Sequence, residues 1–292
     1  MHGFRLLICV VFYTYPTILL AQHTPAILQQ VRFHSDNVFL TQKINQSSQD
    51  PYSTAVDTVQ MLMDEMGYHH PVLNVPLSRS FMQLDKGNPV CVLNKVKSPE
   101  RVKKYLFSSP LSYFQTQRLY QLASVKPLGE HLLDERGQVI SVSDVLDEYT
   151  RSAIILPENY SFGEVLDSDI AQINSKQIIP MSNSAYYQRF MTLFEKQRVD
   201  FALIFPASMY INFGDSEPYE TRSYGIAQTP DFVTGHVICA DTEVGQQTIA
   251  LIDQALASLY QSERFVDAHV AYLPPSAHTE IRDVILEHIT AQ

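Results

Sequence analysis

The residue type in this chain best suited to seizing a small anion is arginine, and Arg101 stands among other polar groups. Asn94, Lys95 and Ser98 precede it within the run Pro89 to Phe114, PVCVLNKVKSPERVKKYLFSSPLSYF. A guanidinium presents a planar fork of donors that matches a carboxylate through two parallel hydrogen bonds. The plain alternative is a surface Arg paired with Glu100 or a nearby Asp, which is worth little. Asn94 and Ser98 are also ordinary turn residues. Ser161 precedes a helical pattern, where free backbone N–H groups would suit an anion; a simple N-cap would account for it equally. Tyr160, Phe39, Tyr113 and Phe205 offer aromatic walls, although at 11% aromatic content most such rings belong to a core.

Catalytic patterns are missing from the sequence. It contains no G-x-S-x-G, H-E-x-x-H, P-loop or G-x-G-x-x-G. His69 and His70 invite a metal reading, but neighbours in a strand point to opposite faces, so one site would take only one of them. Asp167 with Asp169, and Asp144 with Asp147, read as solvated helix faces. No metal site and no cofactor is expected. The net charge of −10 and the lack of a long basic run argue against nucleic acid.

The elements that must position these groups alternate between strands and helices. Ala26 to Phe33 reads as a first strand, followed by a polar loop out to Gln49. Asp50 as N-cap and Pro51 then open a helix, with Val56, Val59, Leu62, Met63 and Met66 at helical spacing and Gly67 at its end. Pro71 to Pro76 reads as a strand, Ser78 to Leu84 as a helix and Val90 to Leu93 as a buried strand. This order suits a parallel sheet with helical crossovers. Ser112 to Leu122 is extended and 126–140 is rich in turns. A second α/β unit follows: a Ser-capped helix Ser143 to Tyr149, strand 153–156, helix Gly163 to Asn174, strand 178–180, helix Ser184 to Lys196 and strand Val199 to Phe205. Ser223 to Thr229 and His236 to Ala240 are extended. Val244 to Tyr260 is a long helix, Phe265 and Val266 sit in a connector, and Ile281 to Ile289 closes the chain.

At 292 residues the chain suits one large or two medium domains. His2 and Arg5 precede a short apolar run, Leu6 to Leu20, interrupted by Pro16 and ending at Ala21. That is the pattern of a secretory signal peptide over residues 1–21. A retained anchor is the alternative, disfavoured because a spanning helix needs about 20 apolar residues. With Cys9 in that leader, Cys91 and Cys239 are left, each inside an apolar run. In an oxidising compartment such a pair can form a disulfide; the alternative is two buried thiols.

The order of strand, loop with a placed Arg, Phe107-Ser108-Ser109-Pro110 corner and crossing strand resembles the periplasmic solute-binding proteins of the extracellular family 3 type. Tyr160-Ser161-Phe162-Gly163 followed by Leu166-Asp167 looks like the start of that family's second-lobe helix. Gln197-Arg198-Val199-Asp200 looks like its "G-R-x-D" strand entry. Asp241-Thr242-Glu243-Val244-Gly245 and Tyr272-Leu273-Pro274-Pro275-Ser276 match an uncharacterised exported subgroup. Each motif is short, and their order along nearly the whole mature chain carries the likeness.

The resemblance implies a two-lobed periplasmic-binding-protein-like fold, with two α/β lobes joined by two crossing strands. Lobe I would comprise 22–112 and 222–292, with lobe II, 113–221, inserted; the crossings fall near 110–118 and 207–226, the second beside Tyr210 to Gly214. It implies a monomeric periplasmic receptor that captures a small anionic or zwitterionic, amino-acid-like or carboxylate ligand between the lobes. Such a receptor serves an inner-membrane ABC transporter or a sensor. Arg101 would grip the ligand carboxylate, with Asn94, Ser98, Ser161 and Tyr160 nearby. Arg79 matches an Arg of the subgroup, as a second anion contact or a buried structural ion pair. Cys91 and Cys239 would lie on adjacent strands, which leaves a bridge and two free thiols equally open. Where amino-acid receptors of the family carry an acidic residue for the ligand ammonium, this chain has Phe205 and Pro206. Neither side chain accepts a hydrogen bond, which puts an α-amino acid ligand in doubt. Two rivals remain: a carboxylate-acting lyase or dehydratase on the same scaffold, using Glu100 or Lys95, or a non-binding adaptor of a membrane partner.

Overall fold

A computed structural model describes residues 25–46, 52–158, 160–181, 190, 192–194, 196–213 and 221–290. The chain first lays down β1 (Arg32–Ser35), β2 (Leu73–Asn74), β3 (Val90–Lys95), β4 (Tyr105–Phe107) and β5 (Ser112–Gln115). It then builds a separate sheet from β6 (Arg118–Leu122), β7 (Ile154–Pro157), β8 (Ile178–Met181), β9 (Phe201–Ile204) and β10 (Thr221–Tyr224). Finally β11 (Phe232–Ala240) returns to the first sheet. The orders are β2-β1-β3-β11-β4, with β5 also on β11, and β10-β6-β9-β7-β8. In the first sheet β1 runs parallel to β2 and β3, and β11 is antiparallel to β3, β4 and β5. These are two α/β lobes, the second inserted into the first.

Each lobe has its own core. In the first, the helices Thr54–Glu65, Glu243–Leu259 and Glu263–Val270 bury Leu62, Leu256 and Phe265 against Phe33 and Leu93. In the second, Leu146, Leu166, Ile154 and Phe201 come together. Cys91 faces Cys239 across the β3–β11 ladder, and the two are joined in a disulfide.

The chain passes between the lobes at Thr116-Gln117 and again between β10 and β11. The two passages are tied to each other: the Thr116 N–H donates to the Asp231 carbonyl at 2.9 Å and its hydroxyl to the Pro230 carbonyl. The extended run Ser112 to Leu122 is therefore two strands in two sheets. The first passage falls within the expected 110–118, and the second, after β10 ends at Tyr224, runs on past the expected 207–226 to β11 at Phe232.

Several local readings are corrected. Ala26–Gln30 is a helical turn, and the first strand begins at Arg32. Ile27, Leu28 and Val31 fit a helical face as readily as an alternating strand, and packing decides between them. Val38–Asn45, read as loop, is a helix because the Asn37 side chain accepts from the N–H groups of Phe39 and Leu40. Asp50 and Pro51 lie outside the described residues; the next helix is capped by Ser53, which accepts from Val56 N–H. Gly67, at φ 63°, ends that helix in the left-handed region, and Tyr68 N–H reaches back to the Met63 carbonyl. Ser141, not Ser143, caps Val142–Glu148. Glu263–Val270 is a helix rather than a connector, with Phe265, Val266 and His269 buried and Glu263 and Arg264 outside. Tyr210 belongs to a helix, Pro206–Phe213. Most of the expected helix Ser184 to Lys196, and the leader 1–21, lie outside the described residues.

Candidate functional site

Between the lobes lies a cavity of about 690 Å³. The first lobe contributes the end of β1 with Asp36, the starts of helices Val38–Asn45 and Thr54–Glu65, and the end of β3 with Asn94 and Lys95. The second contributes Tyr160 and Phe162 from the loop after β7, and Phe205, Ala207 and Ser208 after β9. Gln117, in the first passage between the lobes, lies on the wall at the hinge. Strand ends meeting across a crevice are where α/β sheets commonly bind ligands.

Asn94 has φ 51°, a left-handed conformation that Asn tolerates better than most residues. Its Oδ1 accepts from the Ser112 hydroxyl at 2.9 Å, and its Nδ2 donates to the Ala55 carbonyl at 3.4 Å. Gly235 leaves the room for this arrangement, because a Cβ there would stand 2.6 Å from Ser112 Oγ and 3.0 Å from Asn94 Oδ1. Lys95 donates to Asp36 Oδ1 at 2.7 Å, with side-chain exposures of 8% and 10%. Charges so well shielded are tolerable only as a pair, since removing either partner strands the other. Of the two groups the lyase alternative could use, Lys95 is held by that carboxylate, and Glu100 is exposed and off the wall.

Arg101 does not reach the cavity wall. Ser98 caps its short helical turn, Pro99–Val102, accepting from Arg101 N–H at 3.4 Å. The guanidinium donates to the Val96 carbonyl at 3.2 Å and lies over the Phe81 ring, 5.0 Å from its centroid. Burial pulls its pKa below the ordinary value, and Asp167 and Tyr160 of the second lobe, then Asp36 and Tyr105, pull it back. It is thus half-buried and senses the facing lobe, with one donor held by its own lobe.

Of the other residues singled out in the sequence, Asn94, Tyr160, Phe39 and Phe205 lie on the wall. Ser161 lies behind it, donating to Asp167 Oδ2 at 2.5 Å, while the Phe162 N–H donates to Asp167 Oδ1 at 2.7 Å. The following helix, Glu164–Ile170, starts from Gly163 at φ 100° with no side-chain cap, so its own Asp167 carboxylate occupies the place an anion would take. Asp169 likewise is no solvated face: it accepts from Val142 N–H at 2.6 Å and from Ser143 N–H. Asp144 and Asp147 are exposed. Tyr113, 2% exposed, belongs to the first-lobe core, edge-on to His269. Arg79 is exposed on the helix Leu77–Asp85, neither buried in an ion pair nor on the wall. His69 and His70 are exposed in an irregular segment rather than a strand.

Sequence reasoning missed Asp36, Gln117 and Phe114, and considered Lys95 only as a base for the enzyme alternative, not as half of an ion pair. Asp36-Asn37 before Val38-Phe39-Leu40 was a visible helix-start signal. Gln117 carried none, because its place at the hinge exists only once the two sheets separate.

No protein-family model matches the sequence, and no curated protein sequence matches it either. Solved structures do match. An arginine-specific periplasmic binding protein from Salmonella typhimurium is 12% identical, over 84% of this chain and 100% of that one, with a TM-score of 0.57. An amino acid ABC transporter substrate-binding protein from Streptococcus pneumoniae, bound to L-arginine, is 12% identical over 89% and 96%, with a TM-score of 0.54. A histidine kinase sensor domain with similarity to periplasmic binding proteins is 12% identical over 85% and 98%, with a TM-score of 0.57. The chain has the two-lobed periplasmic-binding-protein fold.

Proposed function

We propose that this protein is an exported solute-binding protein that captures a small molecule between its lobes and presents it to a membrane transporter or sensor. The observation that carries this reading is the 690 Å³ cavity walled by both lobes and by the hinge that joins them. A ligand in contact with both walls stabilises the closed arrangement only through its differential affinity for it. Binding rather than turnover is favoured because the wall's Lys95 and Asp36 already occupy each other. Export agrees with the leader pattern at residues 1–21, and among the described residues no helix is long and apolar enough to cross a membrane. The solved relatives just described include both transport receptors and a sensor domain, so either destination for the bound molecule is consistent with the fold.

The chain has no Trp, so Tyr160→Trp places a single emitter on the cavity wall. Titration with a panel of amino acids, carboxylates, short peptides and neutral metabolites should change that emission. The same compound should raise the melting temperature of the unmodified protein by several degrees at about 100 times its Kd. Failure of every compound in both assays removes the reading.

A further inference from the structure

The cavity differs from an anion trap in three respects. Among the described residues the only charged side chains on its wall are Asp36 and Lys95, bonded to each other at 2.7 Å, so their charges cancel. Aromatic rings line it from both sides, Phe39 and Phe114 from the first lobe and Tyr160 and Phe205 from the second, beside uncharged polar groups such as Asn94 and Ser208; Phe114 and Phe205 touch each other, their centroids 5.5 Å apart. At the hinge, Gln117 is 2% exposed, and its Oε1 is buried with no hydrogen-bond partner among the described residues. An amide oxygen taken from water and left unpaired is costly, and that cost is recovered when the side chain turns to a ligand in the cavity that supplies the missing donor.

Resting on the ligand-binding reading above, we propose that the cavity accepts an uncharged aromatic molecule carrying an amide or ring-lactam group, which pairs with the side-chain amide of Gln117. Donor and acceptor stand side by side on such a group, as they do on Gln117, so the match holds whichever way the Gln amide is turned. The rings of the wall sandwich a flat ligand in offset or edge-on contact. A carboxylate of the same shape would enter without its water and find no unpaired cation on the wall, which disfavours it. On the second-lobe side, Phe205 offers no side-chain acceptor for the α-ammonium of an amino acid.

Benzamide, benzoate and L-phenylalanine separate the possibilities, because the first two share a shape and differ in charge. Calorimetric titration of the oxidised protein at neutral pH should show benzamide binding at least about tenfold more tightly than benzoate, as one to two hydrogen bonds imply. Gln117→Leu and the longer Gln117→Met should each weaken benzamide about tenfold. Both variants should leave the unliganded melting temperature unchanged or higher, since they remove an orphaned polar atom; a structural Gln would lower it. Arg101→Ala should leave benzamide affinity within about twofold, as expected of a residue off the wall. Tighter binding of benzoate or phenylalanine, lost in Arg101→Ala or Lys95→Met, overturns this inference while the binding reading stands. No benzamide binding at millimolar concentration also overturns it. Only if the wider panel fails as well does the binding reading fall with it.

Discussion

At the scale of single residues, this protein separates what a side chain can do from what its surroundings leave it free to do. Arg101 has the chemistry of a carboxylate clamp, yet one of its donors goes to the Val96 carbonyl and its face lies over Phe81, off the cavity wall. Gln117 shows no pattern in the sequence, yet its buried Oε1 is the unsatisfied group at the hinge. Two buried histidines set an acid limit on stability. His236, bonded through Nδ1 to the Ser108 carbonyl, and His269, bonded to the Phe265 carbonyl, are each brought down to about 4, chiefly by burial. In the unfolded chain both titrate near 6.5, so between these values the unfolded state binds more protons. Stability should hold above pH 6.5, fall as pH drops toward 4, and flatten below that with respect to these two groups. The loss should reach about 3 kcal/mol per histidine. Urea midpoints measured across this range test the slope, and His269→Phe should make the acid limb shallower. A flat profile for the unmodified protein would refute the assignment.

At the scale of elements, caps and close approaches decide where helices begin and how they sit. The long helix Glu243–Leu259 starts at Thr242, whose hydroxyl accepts from Gly245 N–H at 3.1 Å. Gly245 brings the first turn of that helix against the end of β11: a Cβ there would lie 1.9 Å from the Ala240 carbonyl oxygen. Backbone cannot yield as a flexible side chain can, so Gly245→Ala should force the helix away from the sheet. The expected loss is about 1–3 kcal/mol or more, despite alanine's better helix propensity. Equilibrium unfolding measures it, and an unchanged or raised midpoint would show that the approach relaxes freely. This glycine is legible in the sequence only as a helix-start residue; the packing that requires it is a tertiary fact. The missed helices at Val38–Asn45 and Glu263–Val270 did carry signals, a cap and a buried stripe respectively, in segments polar enough to pass for loops.

For the whole molecule, the chain's two passages between lobes and its disulfide set the mechanics. Cys91 and Cys239 are 148 residues apart in sequence, and the entire second lobe lies within the loop they close. Such a cross-link restricts the unfolded chain by up to about 5 kcal/mol for a loop of this length. It ties β3 to β11 within the first lobe, so it stiffens one wall of the cavity without bridging the hinge. Reduction should therefore lower the melting temperature by roughly ten degrees while leaving ligand-induced closure, read by small-angle scattering, intact. If reduction changed closure but not stability, the bond's role would lie at the hinge instead.

The sequence by itself determined the alternation of strands and helices, the two-lobed architecture implied by its ordered motifs, and the buried character of the runs around Cys91 and Cys239. These follow from local periodicity, capping and turn chemistry, which neighbouring residues write along the chain. Only the tertiary structure decided the pairing of Cys91 with Cys239, the ion pair of Asp36 with Lys95, the withdrawal of Arg101 from the wall and the burial of Gln117. Each depends on segments far apart in sequence being brought within a few ångströms. No local pattern records that distance, and the closing of two sheets around a hinge is what sets it.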